Sequence, residues 1–541
     1  MPPFTVMPPC FAGCMDPAHQ IDWPQLPKEV LYTILQHVEL QDRYRACALV
    51  NKAWKETAEA VPVTTLSTQR TSAAALKSAW QAEARRFGSQ LTHLTLCMGR
   101  SGLDGACHTD ISADQYPILQ LPCPGLHKLG LQNLAVNLAQ GAADPADGNP
   151  VATLSPLSTV TGLTKLRMRD VVLLGQPQQR LAAMAALTGL QHLRVQDAQH
   201  AAVLAGAGHA VPGDNGSPLL PDGLLPQLHH LTYLHASNHV VQLAISAAGM
   251  KDITHLTGLQ HLVVSLRSDD AQAFDVPAGI SALTQLTYLS LYPVEGLPDL
   301  AALTPMRHLT LHLRGNLHAT ALTGLTGLRT VNLTCDDFDD PAALLTWLQH
   351  QSSMTYLYLS RADDSPDIPD LSDALQAAFT GPLVGNKLQR LTLDNMLPPS
   401  AWQHIFPAGQ QCLAPLNIFS RHGPASNEPW TRLVAACPRL NELWLCGLTE
   451  TQHITDMTPP AAEMQPLTAL ITLVLSGLQE QHVPHLARLP RLSFLELHQT
   501  SITDACRAQL TSMQTLQSLM VYGENHHNLV CWSKHGGFQQ F

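Results

Sequence analysis

His482 and His485 lie three positions apart around Pro484, close enough for two imidazoles to share one metal ion. No third ligand accompanies them, and the chain holds 27 histidines, so ordinary surface residues account for the pair. Asp336-Asp337 and Asp339-Asp340 gather carboxylates just before Pro341. Negative charge is favoured where a helix begins, and a solvated turn opening a helix explains the cluster. Gly381 to Lys387 superficially follows a phosphate-binding loop, but Gly385-Asn386-Lys387 is misspaced and no hydroxyl residue follows. Neither a GxSxG nucleophile elbow nor an HExxH zinc motif is present. No catalytic residue, cofactor or metal site is expected.

Composition points the same way. There are 31 basic against 42 acidic side chains, a net charge of −11 with histidines neutral. Nucleic-acid binders are usually basic, so neither DNA nor RNA is expected as a partner. The twelve cysteines include no CxxC pair and suggest no disulfide framework. The first twenty residues contain no lysine or arginine, unlike a signal peptide, and no apolar run approaches membrane-spanning length. Asn332-Leu333-Thr334 fits a glycosylation sequon, which matters only on a secretory route. A reducing cytoplasmic or nuclear setting follows, with no membrane.

What positions side chains here is a repeat. A phrase of the form leucine-x-x-leucine-x-leucine, with conservative swaps, starts at residues 91, 126, 163, 190, 231, 259, 286, 306, 328, 354, 388, 413, 440, 470, 492 and 516. The mean separation of about 28 residues falls within the period of leucine-rich repeats. One such unit cannot bury its own apolar face, so the copies must stack around a continuous core. The expected fold is an α/β solenoid, a leucine-rich-repeat horseshoe with a parallel concave sheet. Cys97, Cys335 and Cys446 fall in or beside repeat strands, where a buried thiol is expected. Lead-ins such as Leu283-Thr284-Gln285-Leu286 and Leu322-Thr323-Gly324-Leu325 are stereotyped, whereas Leu345, Trp347 and Leu348 mark a helical one. Stretches 141–150 and 206–223, rich in glycine, proline and aspartate, read as loops extruded from the stack.

The N-terminal part has another period. Leu31, Ile34, Leu35 and Val38 follow helical spacing, Pro27 suits a first turn, and Ala46, Cys47, Val50, Trp54 and Ala58 continue it. Some forty residues can barely cover a core alone, and apolar side chains fall on more than one face. Part of that surface is expected to be finished by another protein, with a helical cap on the solenoid as the alternative.

Leu26-Pro27-Lys28-Glu29-Val30-Leu31, then Ile34-Leu35, Val38, Leu40, Asp42, Arg45 and Val50-Asn51-Lys52-Ala53-Trp54, resemble an F-box. An F-box ahead of leucine-rich repeats is the arrangement of substrate-recognition subunits in Skp–cullin–F-box ubiquitin ligases. The resemblance implies that Leu26, Pro27, Leu31, Ile34, Leu35, Val38, Val50 and Trp54 include the contacts to a Skp-family adaptor, and through it a cullin. It departs from the family at Arg43, where a hydrophobic residue is usual, which implies a weaker grip there. Ile454-Thr455-Asp456 and Ile502-Thr503-Asp504 resemble the cysteine-containing repeats common behind F-boxes. The expected division is a disordered leader at 1–20, a small all-α F-box at 21–63, the solenoid at 64–522 and a tail or cap at 523–541.

In a strand, alternate side chains face opposite ways, so the third, fifth and seventh positions of each phrase point outward while its leucines point inward. Lys128, Lys165, Arg167, Arg169 and Arg194 then form a basic patch on an acidic chain. It suits a target with an acidic or phosphorylated segment, or else simply keeps the face soluble. Tyr233, Tyr288, Tyr292, His308, Tyr356 and Tyr358, with Trp444 and Phe494 later, supply the aromatic area typical of binding hot spots. The expected function is a non-catalytic substrate adaptor. The alternatives are a scaffold, possibly cytoskeletal, and a small-molecule receptor.

Overall fold

The computed structural model describes residues 27–36, 52, 57, 63, 65–70, 87, 89–98, 125–137, 160, 162–174, 177–196, 220–238, 245–266, 274–361, 388–394, 415–419, 439–446, 467–476, 478, 480, 483–498, 502–522, 529–534 and 537–540. The chain divides into two compact units, 1–163 and 164–541.

The first unit contains helix α1 (Lys28–Gln36) and strands β1 (Thr65–Arg70), β2 (His93–Met98) and β3 (Lys128–Asn137). β1 runs parallel to β2, and β2 to β3, with His93 level with Lys128. β1 is a repeat strand that the leucine phrase does not announce. Its sequence, TLSTQR, carries only Leu66, which is buried.

The second unit is built on a parallel ladder. Its strands are β4 (Lys165–Leu174), β5 (His192–Gln196), β6 (Tyr233–Asn238), β7 (His261–Leu266), the short β8 (Phe274–Asp275), β9 (Tyr288–Glu295), β10 (His308–Arg314), the short β11 (Asn316–Leu317), β12 (Thr330–Cys335), the short β13 (Asp337–Phe338), β14 (Tyr356–Arg361), β15 (Arg390–Asp394), β16 (Pro415–Phe419), β17 (Glu442–Cys446), β18 (Thr472–Ser476), β19 (Phe494–His498) and β20 (Ser518–Tyr522). β8 pairs alongside β9, while β11 and β13 form a small sheet of their own. The remaining strands pair in sequence order, each parallel to the last. β21 (Leu529–Ser533) then reverses direction and pairs antiparallel with β20, and β22 (Gly537–Gln540) pairs antiparallel with β21.

Every phrase found in the sequence yields a strand that begins at its third residue. The physical reason is visible in one unit. Leu283, Leu286, Leu289 and Leu291 are all 0 % exposed. The N–H of Leu286 donates to the Leu283 carbonyl at 2.9 Å, one turn of 3-10 helix. That turn drops two leucines into the core before the strand starts and alternation takes over. The same bond joins Leu231 to Leu228 (2.9 Å), Leu259 to Leu256 (2.8 Å) and Leu325 to Leu322 (2.9 Å). The stack is an α/β leucine-rich-repeat solenoid whose described return segments are 3-10 turns and short α-helices. Gly324 is required in one of them, since a Cβ there would collide with the backbone of Ala301.

Other intervals contain α-helices: α2 (Pro177–Ala185), α3 (Ala247–Asp252, followed by a 3-10 turn at Ile253–His255), α4 (Pro341–Gln349), α5 (Val483–Leu486) and α6 (Asp504–Thr511). α4 is the helical lead-in expected from Leu345, Trp347 and Leu348. Asp340 caps it by accepting from the Ala343 N–H at 2.9 Å, and Pro341 sits in its first turn. Of the carboxylate cluster, Asp339 and Asp340 are solvated as expected, but Asp336 and Asp337 are half-buried. Asp336 accepts from the N–H of Gly315 at 2.7 Å, and Asp337 pairs with the buried Arg361 at 3.4 Å. Cys335 is buried as expected. The glycine-rich stretch 141–150, all but the end of 206–223, and most of the helical run expected before residue 90 lie outside the described residues.

Leu289→Ala would leave a cavity costing about 2–5 kcal/mol. Because repeats are stabilised mainly by their neighbours, hydrogen exchange should accelerate in β7, β9 and β10 while β18–β20 keep their protection. Uniform loss of protection along the second unit would contradict nearest-neighbour stacking.

Candidate binding face

The rows foreseen from the sequence lie where alternation places them, on the face opposite the leucines. Lys165, Arg167 and Arg169 are exposed and Arg194 is half-buried. Register sets Arg167 beside Arg194 and Arg194 beside His235, a pair of cations across β4 and β5 with an imidazole next to them on β6. Burial pulls the Arg194 guanidinium below its usual range, and Arg167 and Arg169 pull it further. Its Nε is buried without a hydrogen-bond partner. Burial, then Arg194, His261 and Arg167, hold the His235 imidazole down at about 4. Lys128 is exposed on β3 and belongs to the first unit.

The third-position residues of β5, β6, β7, β9 and β10 form a ladder of rings. His192 and Tyr233 have centroids 5.5 Å apart, Tyr233 and His261 4.3 Å, His261 and Tyr288 4.0 Å, and Tyr288 and His308 5.6 Å. His261 lies nearly parallel to Tyr288, at 7°. Stacked in this way, each inner ring spends its two faces on neighbours. Burial, then His308 and His192, bring His261 down to about 4, so His261 is uncharged at neutral pH. Burial and Arg329 lower His308 as well. Tyr292, exposed at the seventh position of β9, packs on His312 at 4.3 Å, beside the register shift between β9 and β10.

Further along, Arg390 lies over the ring of Tyr356 at 5.8 Å and pairs with Glu442 at 3.4 Å. Tyr358 and Ser360 both donate to Asp394 Oδ2, at 3.5 and 3.0 Å. Burial raises the Asp394 carboxyl, partly opposed by those two bonds. Its position in the outward row was legible, but its depth and its shared hydroxyl partners depend on Tyr358 and Ser360, 36 and 34 residues away. Trp444 and Phe494 are half-buried on β17 and β19, apart from the ring ladder. His498, stacked on Tyr522 at 4.5 Å, bonds Glu496 at 2.8 Å.

In the N-terminal segment α1 divides its side chains. Leu31 and Leu35 are each 2 % exposed and pack inside the chain, whereas Pro27 and Glu29 are exposed and Val30 is 44 % exposed. Val30, not singled out from the sequence, is the outward apolar residue of this helix. Ile34 lies in α1, and Leu26, Val38, Arg43, Val50 and Trp54 lie outside the described residues. Among the described residues no three metal-ligating side chains come together. His485 is half-buried on α5, and His482 lies outside the described residues.

The lowered histidines predict an acid-sensitive fold. Both would bind a proton near 6.5 when unfolded but only near 4 when folded, so the unfolded chain holds more protons in between. Stability should be intact above about pH 6.5 and fall as the pH drops towards 4. Urea midpoints measured from pH 7 to 4 should decline less for the H235Q/H261Q double variant than for the natural chain. Equal declines would show that neither histidine carries the effect.

The F-box-like family model matches residues 23–60. No curated protein matches the sequence. A leucine-rich-repeat protein of Leptospira interrogans is 16 % identical with a TM-score of 0.42, over 76 % of this chain and 97 % of its own. An internalin of Listeria monocytogenes is 14 % identical with a TM-score of 0.36, over 83 % and 93 %. The ectodomain of an Arabidopsis thaliana receptor kinase is 14 % identical with a TM-score of 0.28, over 86 % and 66 %. No helix among the described residues is long and apolar enough to cross a membrane. The chain carries an F-box-like segment followed by a leucine-rich-repeat sheet.

Proposed function

We propose that this chain is a substrate adaptor of a Skp–cullin–F-box ubiquitin ligase. The observation that carries the reading is the F-box-like match at 23–60 directly ahead of a repeat sheet with an open, side-chain-rich face. Residues 21–63 form the adaptor-binding module, 64–522 the target-binding solenoid, and 523–541 its terminal cap. The module docks on a Skp-family protein, which brings a cullin. The solenoid holds a target while other subunits transfer ubiquitin, so the chain contributes positioning and no covalent chemistry. Lys165, Arg167, Arg169 and Arg194 favour a target carrying an acidic or phosphorylated segment, because like charges on neighbouring strands are relieved by an anion. The ring ladder supplies the adjoining contact area. Such a complex works in the cytoplasm or nucleus.

The burial pattern of α1 chooses the test. Leu31→Asp would bury a charge and unfold the module, whereas Val30→Asp changes an exposed apolar side chain. The natural chain should co-purify with a Skp-family protein and a cullin, and V30D should lose at least ten-fold of both while keeping its melting temperature. A chain that never captures the adaptor would leave a scaffold instead.

A further inference from the structure

Asp394 stands at the seventh position of β15, with one carboxylate oxygen engaged and the other idle. Oδ2 accepts from the hydroxyls of Ser360 and Tyr358, whereas Oδ1 is buried and has no hydrogen-bond partner. Cations on the same two strands are engaged elsewhere. Arg361 pairs with Asp337 and donates to the Asp336 carbonyl at 3.3 Å, and Arg390 pairs with Glu442. A desolvated carboxylate oxygen without a donor is costly, and burial has already raised this carboxyl. A positively charged donor arriving from outside relieves both effects.

The opposite end of the same face has the complementary deficiency. Arg194 holds a buried Nε without a partner beside Arg167, and the outward rows of β4 to β6 hold no carboxylate. Between the two ends runs the ladder of rings His192, Tyr233, His261, Tyr288 and His308. From β5 to β15 the order is β5, β6, β7, β9, β10, β12, β14, β15. At about 4.8 Å per strand this spans about 34 Å, or about ten residues of extended chain.

We propose that Asp394, with the Tyr358 hydroxyl beside it, seats a lysine or arginine of a target segment whose acidic or phosphorylated residue lies about ten positions away on Arg167 and Arg194. The proposal rests on the reading that the open face holds a target, and it adds a second anchor of opposite charge. Salt will weaken both anchors, and a segment with only one charge will gain from only one of them.

The test uses the full chain and fluorescein-labelled serine-rich peptides with two glutamates at one end and a lysine about ten positions away, in both chain directions. In one direction the lysine peptide should bind roughly ten-fold tighter than its glutamine counterpart. D394N should erase that gain without lowering the melting temperature, halving the spacing should erase it too, and R167E/R194E should abolish binding of both peptides. No lysine gain in either direction, or a gain that survives in D394N, overturns the proposal. Adaptor capture is scored separately. A chain that captures the Skp-family protein but ignores the lysine refutes this inference alone, while a lysine preference without adaptor capture refutes the ligase reading alone.

Discussion

One backbone clamp, repeated at each strand entry, underlies the rest. Two successive N–H groups at the second and third phrase positions donate to a single carbonyl of the preceding unit. Gln260 and His261 share the Thr232 carbonyl at 2.8 and 3.1 Å, Thr287 and Tyr288 share that of Gln260 at the same distances, and Arg307 and His308 share that of Thr287. The pattern continues through Thr355 and Tyr356 on Arg329, and reaches Gln517 and Ser518 on Ser493 at 2.7 and 3.1 Å. A slip of one residue would turn every leucine outward, so the clamp and the leucine alternation reinforce one register. The phrase therefore specifies more than a strand. It specifies which residue of one unit lies beside which residue of the next.

Rows follow from that shared register, and a row behaves differently according to what fills it. Leucine rows close the core. Aromatic and imidazole rows stack on themselves, as His261 does between Tyr233 and Tyr288. Both faces of His261 are thus occupied, whereas the contacts to His192 and His308 at the ends of the row are tilted. Cationic rows cannot stack favourably, and Arg167 beside Arg194 remains a local excess of charge on a chain whose net charge is −11. The register thus converts sequence composition at one phrase position into a continuous stripe of one chemistry.

Much of this was readable because the governing signal is local. The stereotyped Leu-x-x-Leu lead-in marks where each unit turns into its strand, and alternation within the strand predicts which residues face out. What escaped was non-local. β1 holds its place by pairing with β2 although Leu66 is its only core leucine, and β21 holds on through antiparallel pairing with β20. Arg361 is buried because Asp337 and the Asp336 carbonyl lie across the sheet from it, which nothing in its own neighbourhood announces. In α1 the helical spacing of Leu31 and Leu35 marked an apolar stripe, but spacing alone does not say whether the chain itself or a partner covers that stripe. Here the chain covers Leu31 and Leu35, and Val30 is left outside.

Buried polar atoms without partners occur both off and on the open face. Gln351 Oε1, Asn441 Oδ1, His485 Nδ1 and Arg507 Nε lie off the outward rows. Arg194 Nε, His261 Nδ1, Arg390 Nε and Asp394 Oδ1 are buried without partners, and all four belong to outward rows. Each such group costs about 1–3 kcal/mol relative to a bonded one. A long stack can bear that cost because many buried leucines offset it, whereas a small domain could not. On the outward rows a donor is missing at Asp394 and acceptors are missing at Arg194 and Arg390, so a segment seated there as proposed would supply both kinds of polar group.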